Sequence, residues 1–506
     1  MTSNGSNPEA FSWKFGFANQ KGKYLTAEKF GFKLNASGAA LKAKQVWVLE
    51  HGQSADEVYI RSSQKRYLAT DKYGNLTCDS EERGECQRFL VEYNDQGQWA
   101  FKSVPFSYYM YGEEDNMHCK SKTAEWWHIQ LAIHPQVNLY NTNRKRYCHM
   151  ETPKSVEEQP QEVHGCQLIP WGSQAMITLD YIENKYAIQM CDGRYLHPDG
   201  SLQASSEGAL YTLQVKSGGI AFRSNDGKFL TNIGSTATLK ARNSKVTKDE
   251  LFLIKDSQPQ VTLTGSNGKR VSIMQGIDVS SNQDDDELSE KDIFQLEFDS
   301  SSKKWKFLAS NGKYWVMKGV GVQANGEGSE AMVRGPSKGT GAEASLFELE
   351  QLANSTIALK APNGKYVTIK MTGALNCSSD SCGDKEKFKM TILNRPIMIL
   401  KGEFGFLGLK NNKIEANRPT YDAFELKQAH NGLYNFKGSN GKYWTTDGGQ
   451  VMCVGEQGEA TGFQLELLGN SRIGIKTADG NYLRGENNGV LTASAPEIKN
   501  DSKYEF

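Results

Sequence analysis

Net charge is the first thing this sequence lacks: of 506 residues, 59 are Lys or Arg and 59 are Asp or Glu. A balanced chain has no global field to draw it onto nucleic acid or an anionic membrane, so an electrostatic partner has to be met by local patches. No apolar run approaches the roughly 20 residues that span a bilayer. Residues 1–10, MTSNGSNPEA, have neither the basic start nor the apolar centre of a signal peptide. The expectation is a cytoplasmic chain without membrane insertion.

Cysteine is scarce and scattered. The nine cysteines form no Cys-x-x-Cys pair of the kind zinc sites use. Reduced, inert thiols are therefore expected, with Cys377 and Cys382 close enough in sequence to pair under oxidation. The eight histidines show no His-x-x-x-His or His-Glu-x-x-His spacing. Nor is there a phosphate cradle of the Gly-x-x-x-x-Gly-Lys-Ser/Thr type, or a Gly-x-Gly-x-x-Gly opening a helix. The acidic run at 284–287 lacks the spaced ligands and central Gly of an EF-hand loop and reads as a solvated loop. These absences predict a protein that is not an enzyme and holds no cofactor and no metal.

What the chain has is glycine, 49 residues of it, and a short pattern that recurs throughout. Clear copies are Gly22-Lys23-Tyr24, Gly193-Arg194-Tyr195, Gly227-Lys228-Phe229, Gly312-Lys313-Tyr314, Gly364-Lys365-Tyr366 and Gly441-Lys442-Tyr443. Weaker copies anchored at Tyr67, Tyr109, Tyr147, Val271, Phe406 and Tyr482 bring the total to twelve, spaced 34 to 52 residues apart. Each copy has alternating residues, an Asn-Gly or Asp-Gly turn and a second aromatic strand, which is a β-hairpin signal. The glycine takes positive φ at the turn, and alternation sends the aromatic away from its basic neighbour and into a core. Each unit continues with Gly-x-Leu-x-Ala and Phe-x-Leu segments, giving about four short strands. No long segment keeps a 3.6-residue period, so the fold class is all-β. Aromatics beside bases resemble single-strand nucleic-acid platforms, but burial of the rings argues for no nucleic acid partner.

Twelve units divide into four groups of three. Anchors Tyr24, Tyr147, Val271 and Phe406 lie 123, 124 and 135 residues apart, and Pro135, Pro259 and Pro396 stand near the joints. Three four-stranded units closing a barrel with a hairpin cap make a β-trefoil, and closure removes exposed sheet edges. The expected domains are four tandem β-trefoils at 1–134, 135–258, 259–394 and 395–506. The joints have almost no spare residues, so a rigid array is expected rather than beads on a string. A Gly-rich insertion, Asn325 to Ala344, lacks hairpin grammar and reads as a mobile loop.

Specific segments carry a resemblance. GKYLTAEKFGFKLNAS at 22–37, HPQVN at 134–138, RKRY at 144–147, TLKA at 238–241, KDELF at 248–252, NGKYW at 311–315 and NRPI at 394–397 resemble the fascin family in order and spacing. The resemblance runs the length of the chain. It implies a partner, filamentous actin, and an activity, the bundling of filaments in filopodia and other cell protrusions. Cross-linking by a monomer needs two separate faces on one body, and an acidic filament surface calls for Lys and Arg on each.

By similarity to the family, one actin-binding face takes Lys23, Lys44, Glu403 and Lys410. A second takes Arg144, Lys145 and Arg146, with Lys370, Arg472, Lys476 and Arg484. The bland alternative for each is an ordinary solvated surface charge. Three departures from the family stand out. Gly38-Ala39-Ala40 replaces a serine-bearing segment whose phosphorylation blocks actin binding, leaving Ser37 as the nearest regulatory acceptor. Phe404 stands where vertebrate fascins carry histidine, and Asn411 where they carry a second base. A competing class is a β-trefoil lectin or other protein- or glycan-binding module, such as an enzyme inhibitor. Its only motif is an isolated Gln-x-Trp, Gln45-Val46-Trp47.

Overall fold

The computed structural model describes residues 12–151, 159–273, 276–284, 288–326, 345–353 and 355–506. Most of the Gly-rich insertion (327–344) and three of the four acidic residues at 284–287 therefore lie outside the described residues. Among those described, 48 strands form four 12-stranded antiparallel sheets, joined by turns and short 3-10 segments with no α-helix.

The first sheet shows how twelve short strands close on themselves. Ser12–Ala18 pairs with Trp47–His51, which pairs with Glu57–Ser62, then Arg88–Tyr93, then Trp99–Ser103. A bridge between Trp99 and Trp127 and the pairing of His128–Leu131 with Ser12–Ala18 complete a six-stranded ring. The other six strands form three hairpins, such as Tyr24–Ala27 with Leu34–Gly38. Bridges from Ala36 to Glu114 and from Asn75 to His118 tie these hairpins to one another. This is the β-trefoil. The third sheet closes the same way, with a bridge from Trp305 to Phe347 and pairing of Gln260–Gly265 with Lys387–Ile392.

The recurring turn explains the repeated Asn-Gly-Lys. Gly268, Gly312, Gly364 and Gly441 all sit at φ between 74° and 78°, a region open to glycine at no steric cost. The asparagine before each works twice. Oδ1 of Asn311, Asn363 and Asn440 accepts the backbone N–H two residues on, at 3.0 Å. Nδ2 of the same residues donates to Ala324, Cys377 and Cys453 carbonyls at 2.9–3.0 Å, fastening the turn to the next strand.

Alternation then decides which side chain enters the barrel, and the aromatic does not. The residue after it does: Leu25, Leu68, Met110, Leu230, Trp315, Val367, Trp444 and Leu483 are fully buried. The aromatic packs on the opposite side of the strand, and in five copies its hydroxyl donates to a glutamate. Tyr67 donates to Glu50, Tyr109 to Glu92, Tyr314 to Glu297, Tyr366 to Glu350 and Tyr482 to Glu466, all at 2.6–2.9 Å. The third domain's first copy corrects the expected anchor by one position. Arg270, opposite Thr264, takes the place of the aromatic, and Val271 fills the core.

The chain separates into two compact units, 1–170 with 177–255, and 171–176 with 256–506. Each has one continuous apolar core, and each joins its two barrels by the same device. In the first unit the Leu131 N–H donates to the Tyr186 hydroxyl at 2.6 Å; in the second the Ile392 N–H donates to the Tyr434 hydroxyl at 2.9 Å. Burial pushes the Tyr434 hydroxyl up to about 12. Other inter-barrel contacts differ. Tyr93 donates to the Val215 carbonyl at 2.7 Å in the first unit, whereas in the second Phe298 lies against Gly469, where any Cβ would meet the ring at 2.6 Å.

Replacing Tyr434 by Phe leaves the buried Ile392 N–H without its acceptor. Such an orphaned group costs about 1–3 kcal/mol, so Tyr434→Phe is expected to lower the melting temperature of the full chain, as is Tyr186→Phe. Scanning calorimetry checks this; an unchanged transition for both variants contradicts the role assigned to the hydroxyls.

Candidate functional site

The candidate residues lie on hairpin turns and barrel strands, and the surroundings of each sort them into three kinds. Lys44 sits in the 3-10 turn Ala43–Gln45, held by Gln45, whose Nε2 donates to Thr26 at 3.0 Å. Lys44 Nζ lies 2.6 Å from Glu28 Oε2, and this hydrogen bond holds the Glu28 carboxyl below its ordinary range. Glu28 in turn accepts from Asn35 Nδ2 at 3.5 Å, and Asn35 Oδ1 accepts from Ser37 Oγ at 2.6 Å. Ser37 is exposed and stands at the far end of a chain of side chains that leads to Lys44.

Four more cations are paired with carboxylates. Lys410 Nζ is 3.2 Å from Glu415, Arg472 Nη2 is 3.0 Å from Glu505, Arg484 Nε is 2.8 Å from Asp501, and Lys476 Nζ is 3.7 Å from Glu466. The first three pairs are partly or well exposed and contribute about 0–1 kcal/mol, so giving them up to a partner costs little, whereas Glu466 is buried. Arg144 is bound differently. Its guanidinium donates to the Asn232 carbonyl at 3.0 Å and to the Gly234 carbonyl at 3.2 Å, which fixes the turn to a neighbouring strand.

Lys23, Lys145 and Lys370 form the third kind: exposed, with no carboxylate partner among the described residues. The Lys23 backbone N–H donates to Asn19 Oδ1 at 3.0 Å, and Lys370 Nζ reaches Ser378 Oγ at 3.2 Å. Lys145 is held at φ 55°, at the apex of the turn, and Arg146 Nη1 folds back to its carbonyl at 2.9 Å. Glu403 is exposed in the turn closed by Gly402 N–H on the Gly405 carbonyl at 2.8 Å.

The departures at 404 and 411 have separate settings. Asn411 and Asn412 have φ 49° and 63°, the two positive values of a type I′ hairpin turn between Phe406–Lys410 and Lys413–Arg418. Asparagine tolerates that geometry, so Asn411 answers a backbone requirement. Phe404 is half-buried in the Gly402–Gly405 turn. The structure brings Arg144, Lys145 and Arg146 together in one turn of the first unit. It puts Arg472, Lys476 and Arg484 on two paired strands of the second. Lys23 and Lys44 belong to the first unit, Glu403 and Lys410 to the second.

Lys476 carries a structural signature that the others lack. It lies opposite Tyr482, 5.0 Å from the ring centre, with Glu466 accepting from the same tyrosine. Lys360 repeats this arrangement with Tyr366 and Glu350, and Lys102 with Tyr109 and Glu92. Sequence reasoning missed the carboxylates Glu28, Glu415, Glu505 and Asp501, because none is adjacent to its partner. The Gln-x-Trp match is core: Trp47 is fully buried and donates Nε1 to the Leu25 carbonyl at 3.0 Å, so it offers no platform to a sugar.

Among the described residues no group of three or more His, Cys, Asp or Glu side chains is placed to hold a metal ion, and all nine cysteines are free. Cys377 is buried, its thiol pushed up to about 12, and Cys382 is half-buried. No helix among the described residues is long and apolar enough to cross a membrane.

Comparison with known proteins decides the family. The fascin domain model matches residues 21–127, 137–254, 266–390, 316–426 and 409–506. The chain is 37% identical over 516 residues to Fascin-2 of Bos taurus and 38% over 517 to Fascin-2 of Homo sapiens, covering all of each protein. It is 34% identical to Fascin of Strongylocentrotus purpuratus, over 98% of this chain and 99% of that one. This chain belongs to the fascin family. Fascins are non-enzymatic actin-bundling proteins built from β-trefoil domains, and the four sheets described above are the fascin domains of this chain.

The repeated setting of Lys476 predicts a contribution to stability that the turn lysines do not make. Lys476→Ala leaves the nearly buried Glu466 without its cation and is expected to cost about 1 kcal/mol. Lys145→Ala and Lys370→Ala should change stability by less than about 0.5 kcal/mol. Thermal melts of the three variants check the contrast, and equal melting temperatures would return Lys476 to the surface charges.

Proposed function

We propose that the chain is a monomeric actin cross-linker, binding filaments through two or more separate basic faces and drawing them into tight parallel bundles at the actin cytoskeleton of cell protrusions. The observation that carries this reading is end-to-end similarity to fascins of vertebrates and a sea urchin, over all four domains. Lys23, Lys44, Glu403 and Lys410 would serve one face. Arg144, Lys145, Arg146, Lys370, Arg472 and Arg484 would serve the other, with Lys476 as a supporting charge. The exposed, unpaired Lys23, Lys145 and Lys370 are ready to meet an acidic surface, while Lys44, Lys410, Arg472 and Arg484 exchange one carboxylate for another. The four domains are proposed to divide near 134, 258 and 394.

Low-speed pelleting with filamentous actin tests the function. The chain, monomeric by sedimentation equilibrium, is expected to carry filaments into the pellet, and less so as salt shortens the screening length from about 10 Å at 0.1 M to about 3 Å at 1 M. Lys44→Glu sets a second carboxylate against Glu28 and should reduce pelleting without a large loss of melting temperature. Unchanged bundling by that variant removes Lys44 from the face. A dimer that bundles while its monomer is inert overturns the single-chain reading.

Regulation follows from the segment 37–45. Ser37 Oγ turns back onto Asn35, whereas Ala40 precedes Lys42 by two residues, at the entry to the turn that carries Lys44. A phosphate adds about −1.5 to −2 charges, and a shift of three residues moves it by up to about 10 Å, comparable to the screening length. Ser37→Glu is therefore expected to bundle almost normally and Ala40→Glu poorly. Side-by-side pelleting decides: loss of bundling by Ser37→Glu alone would place the switch at Ser37.

A further inference from the structure

Cys166 lies outside both candidate sets and has a histidine against its thiol. Strand Arg146–Met150 pairs antiparallel with Val163–Gln167, with the register shifting between Tyr147 and His149. The shift brings His149 beside Cys166, with Nε2 at 3.0 Å from Sγ. The thiol is exposed and the imidazole buried. The other ring nitrogen, Nδ1, lies 2.7 Å from the Met150 carbonyl. A carbonyl only accepts, so Nδ1 carries the proton and Nε2 turns its lone pair to the thiol.

The neighbours leave that pairing undisturbed. Burial holds the His149 imidazole below the ordinary histidine range, so its neutral, accepting form prevails at neutral pH. The second histidine of the hairpin, His164, has its ring centre 6.2 Å from that of His149 and its Nε2 3.3 Å from Glu162. Lys240 and Thr238 also bind Glu162, at 3.3 and 3.0 Å, so that carboxylate is fully engaged. Cys148, on the same strand as His149, is buried with its thiol pushed up to about 12 and is inert.

We propose that Cys166 and His149 form a nucleophilic dyad, making Cys166 a site of reversible S-thiolation by low-molecular-weight disulfides such as oxidised glutathione. The S–H proton passes to His149 Nε2, and the sulfur attacks one sulfur of the reagent. The reagent's S–S bond breaks as the Cys166 mixed disulfide forms, and the leaving thiolate takes the proton from His149. Cys166 is oxidised and half of the reagent is reduced, so no further oxidant enters. An ordinary thiol is only a few per cent thiolate at pH 7, so full activation is worth at most about thirtyfold. The weaker intrinsic nucleophilicity of an activated thiolate trims that to about tenfold.

Cys86 supplies the internal control, exposed in the 3-10 turn Glu85–Gln87 directly after a carboxylate. The folded chain is treated with oxidised glutathione at pH 7, quenched at intervals with acid, and mapped by peptide mass spectrometry. Cys166 is expected to gain the adduct about tenfold faster than Cys86, with the two rates converging in denaturant; Cys166 no faster than Cys86 in the folded chain overturns the proposal. His149→Phe, which fills the site without a base, should bring Cys166 to the rate of Cys86 at an unchanged melting temperature, and His149→Gln serves if the first variant unfolds. A folded variant that keeps the fast rate removes His149 from the dyad.

Discussion

In a barrel closed from short strands, each residue faces either the interior or the outside, and a turn that shifts the chain by one position reverses every assignment after it. The Gly-Lys turn fixes this parity. Glycine at positive φ and the doubly bonded asparagine before it set the strand so that the residue after the aromatic enters the barrel. The aromatic is then free to pack outside, donating its hydroxyl to a carboxylate, often under a lysine from the opposite strand. Core, outer cluster and basic turn are three consequences of one register. The lysine of the turn lies just before the strand begins and stays at the surface, where some copies are available to a partner.

The charges of the candidate faces follow from that scaffold. Turn lysines such as Lys145 project because their neighbours are spent on backbone hydrogen bonds. Strand cations such as Arg472 and Arg484 meet carboxylates from other strands. Because such exposed pairs are weak, a surface that is ion-paired in isolation still presents exchangeable positive charge. The molecule is therefore neutral overall and electrostatically structured in detail, as the proposed contact with an acidic filament at a few places requires.

The all-β fold and its fourfold division were legible in the sequence because both rest on local chemistry: Asn-Gly turns, two-residue alternation and regular spacing. The aromatic is buried at Tyr67, Tyr109, Phe229, Tyr314, Tyr443 and Tyr482, as expected, but outside the barrel cluster. Size suggests core, but parity outranks size, and Trp315 and Trp444 fill the barrel while Tyr314 and Tyr443 do not belong to its cluster. The anchor at Val271 moved to Arg270 because parity is kept even where the aromatic is lost. Candidate site residues were named by resemblance, and the carboxylates that pair with them in the fold were not legible. Lys44 and Glu28 are 16 positions apart and Arg472 and Glu505 are 33, distances bridged only once strand register is known. The meeting of His149 and Cys166 depends on a register shift that no local pattern announces.

The central claim is that one chain ties filaments together at a fixed spacing. Electron microscopy of actin filaments mixed with the monomeric chain tests it most directly. The account predicts bundles of filaments with uniform polarity and a single repeated spacing between neighbours. Filaments decorated singly, or gathered into loose networks of mixed polarity, would contradict it.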